Sequence, residues 1–180
     1  MREDEDSTAF PNPKEDLRTE LMAAQGSFHK VLESMTPEGW SKQSLNPGWS
    51  NGEILVHMTF GFVVVRVLLP MARLWGRLPK GSSRPFAWLL NAGTRPFNWV
   101  NGLGARAQGK VVQPRWIGGI FDRTLAALLK QMESIRPEEW QRGMYYPARW
   151  DPNFSEFMTL EKLLRYPVRH FKFHLGQLAH

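Results

Sequence analysis

The chain of 180 residues contains no cysteine. This absence excludes disulfide bonds, thiolate metal sites and a cysteine nucleophile. Any transition-metal site must therefore use histidine, aspartate or glutamate side chains. The apolar fraction of 42% is that of a globular protein, and the length suits one domain with a sizeable core.

The sequence also has no signal-peptide pattern, no uninterrupted apolar span and no run of basic residues. Residues 1–12 begin with acidic and polar side chains where a signal peptide needs a basic flank, so we predict an acidic flexible leader on a cytoplasmic protein. The most apolar stretch, residues 54–75, contains His57, Arg66 and Pro70, which favours a buried helix over a transmembrane segment. The net charge of +6 comes from residues scattered among aromatics, and we therefore predict no nucleic-acid partner.

Apolar residues recur at spacings of three, four and seven in four parts of the chain, and this periodicity predicts an all-α protein with four long helices. Ser50 and Glu53 have the spacing of a capping box, in which each side chain binds a backbone amide of the first helical turn. Proline disfavours a helical conformation in the residue before it and so ends the first and third helices. The helices are predicted to begin at Pro13, Ser50, Arg115 and Thr159, with ends near Pro37 for the first and Pro137 for the third.

A repeat connects the two halves of the chain. Residues 33–40 and 133–140 share the pattern Glu-Ser, two variable residues, Pro-Glu, one variable residue and Trp, and Pro47 recurs as Pro147. The pattern predicts two related helical hairpins packed as a four-helix bundle. A simpler interpretation is that both copies are the same kind of helix stop followed by an aromatic plug.

Residues 80–114 form a long insertion between the second and third predicted helices. They are rich in Gly, Ser, Pro and Asn and also carry aromatic and arginine side chains. A connection of this length without its own secondary structure is uncommon in a compact domain and is usually functional. We predict one of three arrangements: a short helix near residues 86–90, a cover over a pocket, or a dimer contact.

Two histidines near the carboxyl end of the sequence are candidates for a metal site. His170 and His174 are four residues apart, so on a helix both imidazoles leave the same face. The same spacing also arises by chance on a solvated helix. A zinc-peptidase motif is excluded because it needs a glutamate beside the first histidine, whereas Phe171, Lys172 and Phe173 stand between the pair. His57 lies within the apolar stripe of the second helix, where a hydrogen-bonded core histidine is the simpler interpretation.

Residues 49–57 and 170–177 resemble the two histidine signatures of the DinB-like (YfiT-like) family, and the resemblance extends from about residue 17 to the end of the sequence. It implies an up-down-down-up four-helix bundle, frequently a homodimer, in which His57, His170 and His174 bind a divalent metal such as zinc or nickel. Some members of the family are thiol-dependent S-transferases or isomerases. The insertion at residues 80–114 is longer and more aromatic than the family pattern. We predict a single domain of residues 13–180 with that insertion inside it.

A metal held by three neutral imidazoles keeps open positions for water or substrate, as catalytic sites do. Ligating histidines also need acceptors for their other ring nitrogens, and Gln177 and Glu53 are the candidates at one turn's distance. Arg169 or Arg165 could hold the carboxylate of an anionic substrate. Tyr146, before the last helix, could serve as a general acid.

We therefore predict a metal-dependent enzyme, either a thiol-dependent S-transferase or a hydrolase, that acts on a small hydrophobic or anionic substrate with a low-molecular-weight thiol as its partner. The alternative is a non-catalytic helical bundle whose aromatic and basic insertion mediates dimer, partner or membrane-surface binding. The sequence leaves catalysis, the metal and the substrate open.

Overall fold

The computed structural model describes residues 12–96, 99 and 114–179 and is mostly helical. The leader, apart from Asn12, and much of the insertion lie outside the described residues. The helices are α1 (Lys14–Ser34), α2 (Pro37–Ser41), α3 (Asn51–Trp75), α4 (Arg84–Ala92), α5 (Pro114–Glu133) and α6 (Leu160–Leu175), with a 3-10 turn at Pro137–Glu139. Two short strands, β1 (Gly143–Tyr145) and β2 (Phe157–Thr159), pair antiparallel.

Two of the predicted helix starts, Ser50 and Thr159, carry side-chain caps. The Ser50 side chain accepts the Glu53 N–H at 3.2 Å, and the Glu53 carboxylate accepts the Ser50 N–H at 2.7 Å, which completes the capping box at the start of α3. The Thr159 hydroxyl accepts the Lys162 N–H at 3.2 Å and caps α6. The short helix predicted near residues 86–90 is present as α4. Local capping chemistry therefore fixes where both histidine-bearing helices begin.

The four long helices share one buried core. Helix α3 packs against α5 and α6, and α1 packs against the same two helices. Three phenylalanines join these helices at the centre, because Phe121 on α5 stacks on Phe28 at 4.3 Å between ring centroids and meets Phe62 at 4.7 Å. These rings join α1, α3 and α5, while α6 packs directly on α3, which is the arrangement that a site shared by α3 and α6 requires.

Helices α3 and α6 run antiparallel. The side chain of Asn51, at the start of α3, is hydrogen-bonded to Ala179, just beyond the end of α6. At the other end, Gly76, just beyond α3, lies close to Arg142, since a Cβ added to Gly76 would be 2.8 Å from the Arg142 side chain. The Arg142 carbonyl accepts the N–H of Leu160, the first residue of α6, so the end of α3 lies near the start of α6. The antiparallel pairing brings the first turns of α3 close to the last turns of α6.

The prediction of two helical hairpins is wrong for the described part of the chain. The two helix pairs of the predicted hairpins do not pack closely: α1 lies diagonal to α3, and α5 lies diagonal to α6, whereas the second and third long helices, α3 and α5, are neighbours. The connections at residues 35–50 and 134–159 are long enough to cross the end of the helical layer, so sequence neighbours need not be spatial neighbours. The repeat instead marks two similar helix stops, each followed by a short helical turn and a tryptophan, Trp40 or the fully buried Trp140.

Helix α3 is long and apolar enough to cross a membrane by length and composition, with a mean hydropathy of 2.0, and half of that window is buried inside the protein. Core helices pass the same test. Met58, Phe62 and Val65 are fully buried against the neighbouring helices. A second apolar strip on α3 lines an internal cavity described below. Two apolar faces on one helix account for its hydropathy.

Candidate metal centre

Three histidines converge where α3 and α6 lie side by side. His57 projects from α3, one turn after the capping box, and His170 and His174 project from the last turns of α6. The Nε2 atoms of His57 and His170 are 3.1 Å apart, and the nearest ring nitrogens of all three residues lie within 4.8 Å of one another. His170 and His174 are buried and His57 is half-buried. The sequence predicted this set of residues, and the fold brings them together.

A glycine allows the close approach of the His170 ring to α3. Gly61 lies one turn after His57, and a Cβ added to it would be 2.7 Å from Nδ1 and 3.2 Å from Cε1 of His170. Any larger side chain at this position would therefore push the ring away. The Nδ1 atom of His170 is buried and has no hydrogen-bond partner among the described residues.

The protein environment keeps the imidazoles neutral. Burial, with a smaller contribution from the neighbouring histidines, lowers the pKa of His57 and of His170 to about 3. Burial also lowers the pKa of His174, although Gln177 and Asp151 oppose that shift. A neutral imidazole keeps a lone pair on one ring nitrogen, and this is the form that binds metals.

Gln177 orients the third histidine. The Nδ1–H of His174 donates to the Gln177 side-chain oxygen at 2.8 Å, which leaves the Nε2 lone pair free to face the cluster. The backbone around Gln177 is fixed in turn, because its carbonyl accepts the Leu45 N–H at 2.8 Å. The Asn51 side chain also binds both the carbonyl and the N–H of Ala179, at 2.9 and 3.0 Å. The function of Gln177 as a partner of a metal ligand stays a prediction.

A carboxylate that the sequence analysis missed lies beside the cluster. Oδ2 of Asp151, in the loop between β1 and β2, is 3.9 Å from Nε2 of His170. The Tyr166 hydroxyl donates to the same oxygen at 2.9 Å, and the Asn153 N–H donates to Oδ1 at 2.7 Å. The only local signal was an Asp-Pro turn, which gives no indication of a contact with α6. Tyr166, one turn before His170, is buried, and burial and the nearby Asp151 raise its pKa.

A cavity of about 490 Å³ opens from the histidine cluster. Its walls come from one face of α3, from Leu90 on α4, from the segment 144–154 and from α6. Most of the lining is apolar. Among the described residues that line the cavity, only Asp151 has a charged side chain when the histidines are neutral. The apolar lining includes Phe60, Val63, Val64, Val67, Leu68, Met71, Met144, Trp150, Phe154 and Phe173.

The other predicted site residues lie elsewhere or have other partners. Glu53 is held in the capping box, where its carboxylate binds the backbone of Ser50. Arg169 is exposed and does not line the cavity. Arg165 forms ion pairs with two carboxylates, Glu20 and Glu161, and does not line the cavity.

Tyr146 does line the cavity. It is buried, burial raises the pKa of its hydroxyl, and that hydroxyl has no hydrogen-bond partner among the described residues. The raised pKa keeps this hydroxyl protonated but makes it a weaker acid, so the position of Tyr146 in the cavity agrees with the general-acid prediction and its pKa does not add to it.

The donor set fits a divalent metal. Ligand nitrogens about 2.0–2.1 Å from a shared zinc ion are separated by roughly 3–3.4 Å, depending on the coordination geometry. One separation, the 3.1 Å between the His57 and His170 Nε2 atoms, falls in this range, and all three ring nitrogens lie within 4.8 Å of one another. Three nitrogen donors also match the preference of imidazole for zinc, nickel and related ions. The cluster could therefore bind such a metal.

The comparisons with known proteins agree with the geometry. The family model of the DinB superfamily matches residues 20–178. A solved structure, titled "Crystal structure of the mycothiol-dependent maleylpyruvate isomerase", is similar with a TM-score of 0.62 and 12% sequence identity over 93% of this chain. The match spans 61% of the length of that structure. No curated protein matches the chain. At this identity the solved structure shows a shared fold.

Proposed function

The chain belongs to the DinB superfamily, and from this we propose that it is a metal-dependent enzyme in which His57, His170 and His174 hold a zinc or nickel ion. The observation that carries the proposal is the convergence of three neutral imidazoles at one end of an apolar cavity. The proposal includes an up-down-down-up four-helix bundle, with residues 13–180 as one cytoplasmic domain. The antiparallel pairing of α3 with α6 supports that order of helices.

The proposed chemistry follows from three protein ligands, which would leave coordination positions of the metal open to water or substrate. When bound, a divalent metal would supply a Lewis acid that makes a coordinated thiol or water more acidic. The carboxylate of Asp151 is close enough to accept a proton from a group in that space, and Tyr166 fixes its orientation. Gln177 holds the His174 ring in the tautomer that a ligand needs. On this basis we propose a thiol-dependent S-transferase first and a hydrolase second.

The proposal also includes a class of reaction partner, a low-molecular-weight thiol. A solved structure of similar fold is described by its title as mycothiol-dependent, and we propose a low-molecular-weight thiol as the partner of this chain too. The proposal predicts that cobalt-loaded protein will develop a thiolate-to-cobalt charge-transfer band when a small thiol is added. A spectrum that does not change with thiol would favour the hydrolase.

Metal analysis tests the centre itself. We expect one equivalent of zinc or nickel per chain after purification and dialysis, and at least a tenfold loss of affinity in His57→Ala and in His174→Ala. His29→Ala is the matched control, since His29 lies on α1 and is paired with Asp122 at 2.8 Å. Full metal retention in both site variants would contradict the proposal.

The alternative is an interaction function for the insertion. On α4, Trp88 is 72% exposed and Leu89 is 61% exposed, although α4 itself is fixed by the Trp150 indole N–H, which donates to the Leu90 carbonyl at 2.9 Å. A rigid helix with exposed aromatic surface suits a protein contact, and we propose a homodimer as its use. Sedimentation of Trp88→Glu tests it: loss of a dimer with metal binding intact supports the contact, and an unchanged state argues against it.

A further inference from the structure

The charge distribution of the cavity carries an inference about the substrate, which rests on the proposed function. We infer that the part of the substrate lying along α3 is an elongated, uncharged apolar group without a carboxylate. The sequence had suggested an anionic substrate held by arginine, and the described walls do not support that suggestion.

The cavity follows one face of α3 away from the histidines. His57, Gly61, Val64, Leu68 and Met71 all line it, at successive steps of four, three, four and three residues. These steps keep side chains on one face of a helix. Fourteen residues at about 1.5 Å per residue give a wall of roughly 21 Å. A volume of about 490 Å³ along such a wall describes a narrow groove rather than a wide chamber.

The described walls of the groove carry no cation to receive a carboxylate. No lysine or arginine of the described residues lines it, and Arg66 on α3 is exposed on another face. Asp151, at the histidine end, would repel a second carboxylate nearby. Moving a carboxylate from water into an apolar cavity without a cationic partner costs free energy. This cost is much larger than the free-energy change for moving an alkyl or aryl group into the same cavity. The walls therefore select against anionic tails and favour apolar ones.

Alkyl hydroxamates test this on zinc-loaded protein, because the hydroxamate head binds the metal and the tail samples the groove. Isothermal titration should show affinity rising from acetohydroxamate to hexanohydroxamate to octanohydroxamate, by about fourfold per methylene. Octanedioic acid monohydroxamate has the same length and ends in a carboxylate, and we expect it to bind at least tenfold more weakly than octanohydroxamate. Equal or tighter binding of the carboxylate compound would overturn the inference.

Adding a cation to the wall should reverse the preference. In Val64→Lys the carboxylate compound is expected to bind at least as tightly as octanohydroxamate. Leu74→Lys is the matched control, since it adds the same charge to the same helix at a side chain that is 62% exposed and outside the cavity. If Val64→Lys does not fold, Met71→Lys places the charge farther along the groove. An unchanged preference in the folded cavity variant would contradict the inference.

A neutral probe separates this inference from the metal proposal. N-phenyl-1-naphthylamine has no charge and fluoresces in apolar cavities, so metal-free protein should enhance its fluorescence and octanol should compete. Enhancement that is lost in Val64→Lys but kept in Leu74→Lys supports the apolar groove even if no metal binds. Enhancement that is absent, or equal in both variants, refutes the groove while leaving the metal analysis to decide the histidine centre.

Discussion

Gly61→Ala should displace one predicted metal ligand with the smallest possible change. The new Cβ would lie 2.7 Å from Nδ1 of His170, whereas ordinary contacts begin at 3.4 Å, so the ring or the helix must retreat by about 0.7 Å. Metal–ligand distances vary by only about 0.2 Å, so a shift of this size exceeds what the site can absorb. We expect at least a tenfold loss of zinc affinity.

The same substitution gives a stability measurement with an internal control. Gly26, exposed on α1, has no atom within 4 Å of an added Cβ, so Gly26→Ala reports only the backbone gain of roughly 0.5–1 kcal/mol. Gly61→Ala receives the same gain and also the cost of overpacking, about 1–3 kcal/mol. Urea unfolding of both metal-free variants should therefore differ by about 1–3 kcal/mol.

Two results would refute the reasoning about Gly61. The first is zinc affinity in Gly61→Ala within twofold of the parent protein, measured by competition with a chelator. The second is equal stabilisation by both alanine substitutions. Either result would mean that the His170 ring has room to move without cost.

Three further predictions address other parts of the site and core. Gln177→Ala should weaken zinc binding by about 10–100-fold with little change in metal-free stability, since it removes the acceptor of a ligand's N–H; unchanged affinity would exclude that role. Burial lowers the pKa of His57 and His170 from 6.5 to about 3, so the unfolded chain takes up protons first as pH falls. The unfolding free energy of metal-free protein should then decrease below pH 6.5 by about 1.4 kcal/mol per pH unit for each histidine, and urea titrations with a flat profile between pH 7.5 and 5 would contradict this. Glu139→Ala should lower the unfolding free energy by about 2–3 kcal/mol, because it removes a carboxylate that is 1% exposed and that forms an ion pair with Arg73 at 2.9 Å; a loss below about 0.5 kcal/mol would show that the ion pair is dispensable.

Sequence patterns predicted the helices and the histidines because both depend on local chemistry. Ser50, Glu53 and Thr159 act within one helical turn, and their caps are where the spacing placed them. The four-residue spacing of His170 and His174 is likewise a property of one helix. The meeting of these two residues with His57 came from the family resemblance, since no local rule relates positions 113 residues apart.

The missed features all depend on contacts between distant parts of the chain. The repeat of helix stops suggested hairpins, but which helices become neighbours is decided by core packing and by the route of the connections. The ion pair of Arg165 with Glu20, which is far away in sequence, likewise has no local signal. Asp151 depends on a loop between two three-residue strands, and strands this short have no alternating pattern that could have predicted them.

The hydrogen bonds around Gln177 also matter for anyone who wishes to redesign this protein. Leu45 and Asn51 bind the backbone beside Gln177 and Ala179, and Asn46 reaches the Gln177 side chain at 3.4 Å. The loop before α3 and the first residue of α3 therefore fix the segment that holds the His174 ring without touching a histidine on α6. A mutant library limited to the cavity wall would leave these positions unchanged, whereas a library that varies residues 45–51 is expected to change the selectivity of the proposed metal centre from outside the cavity.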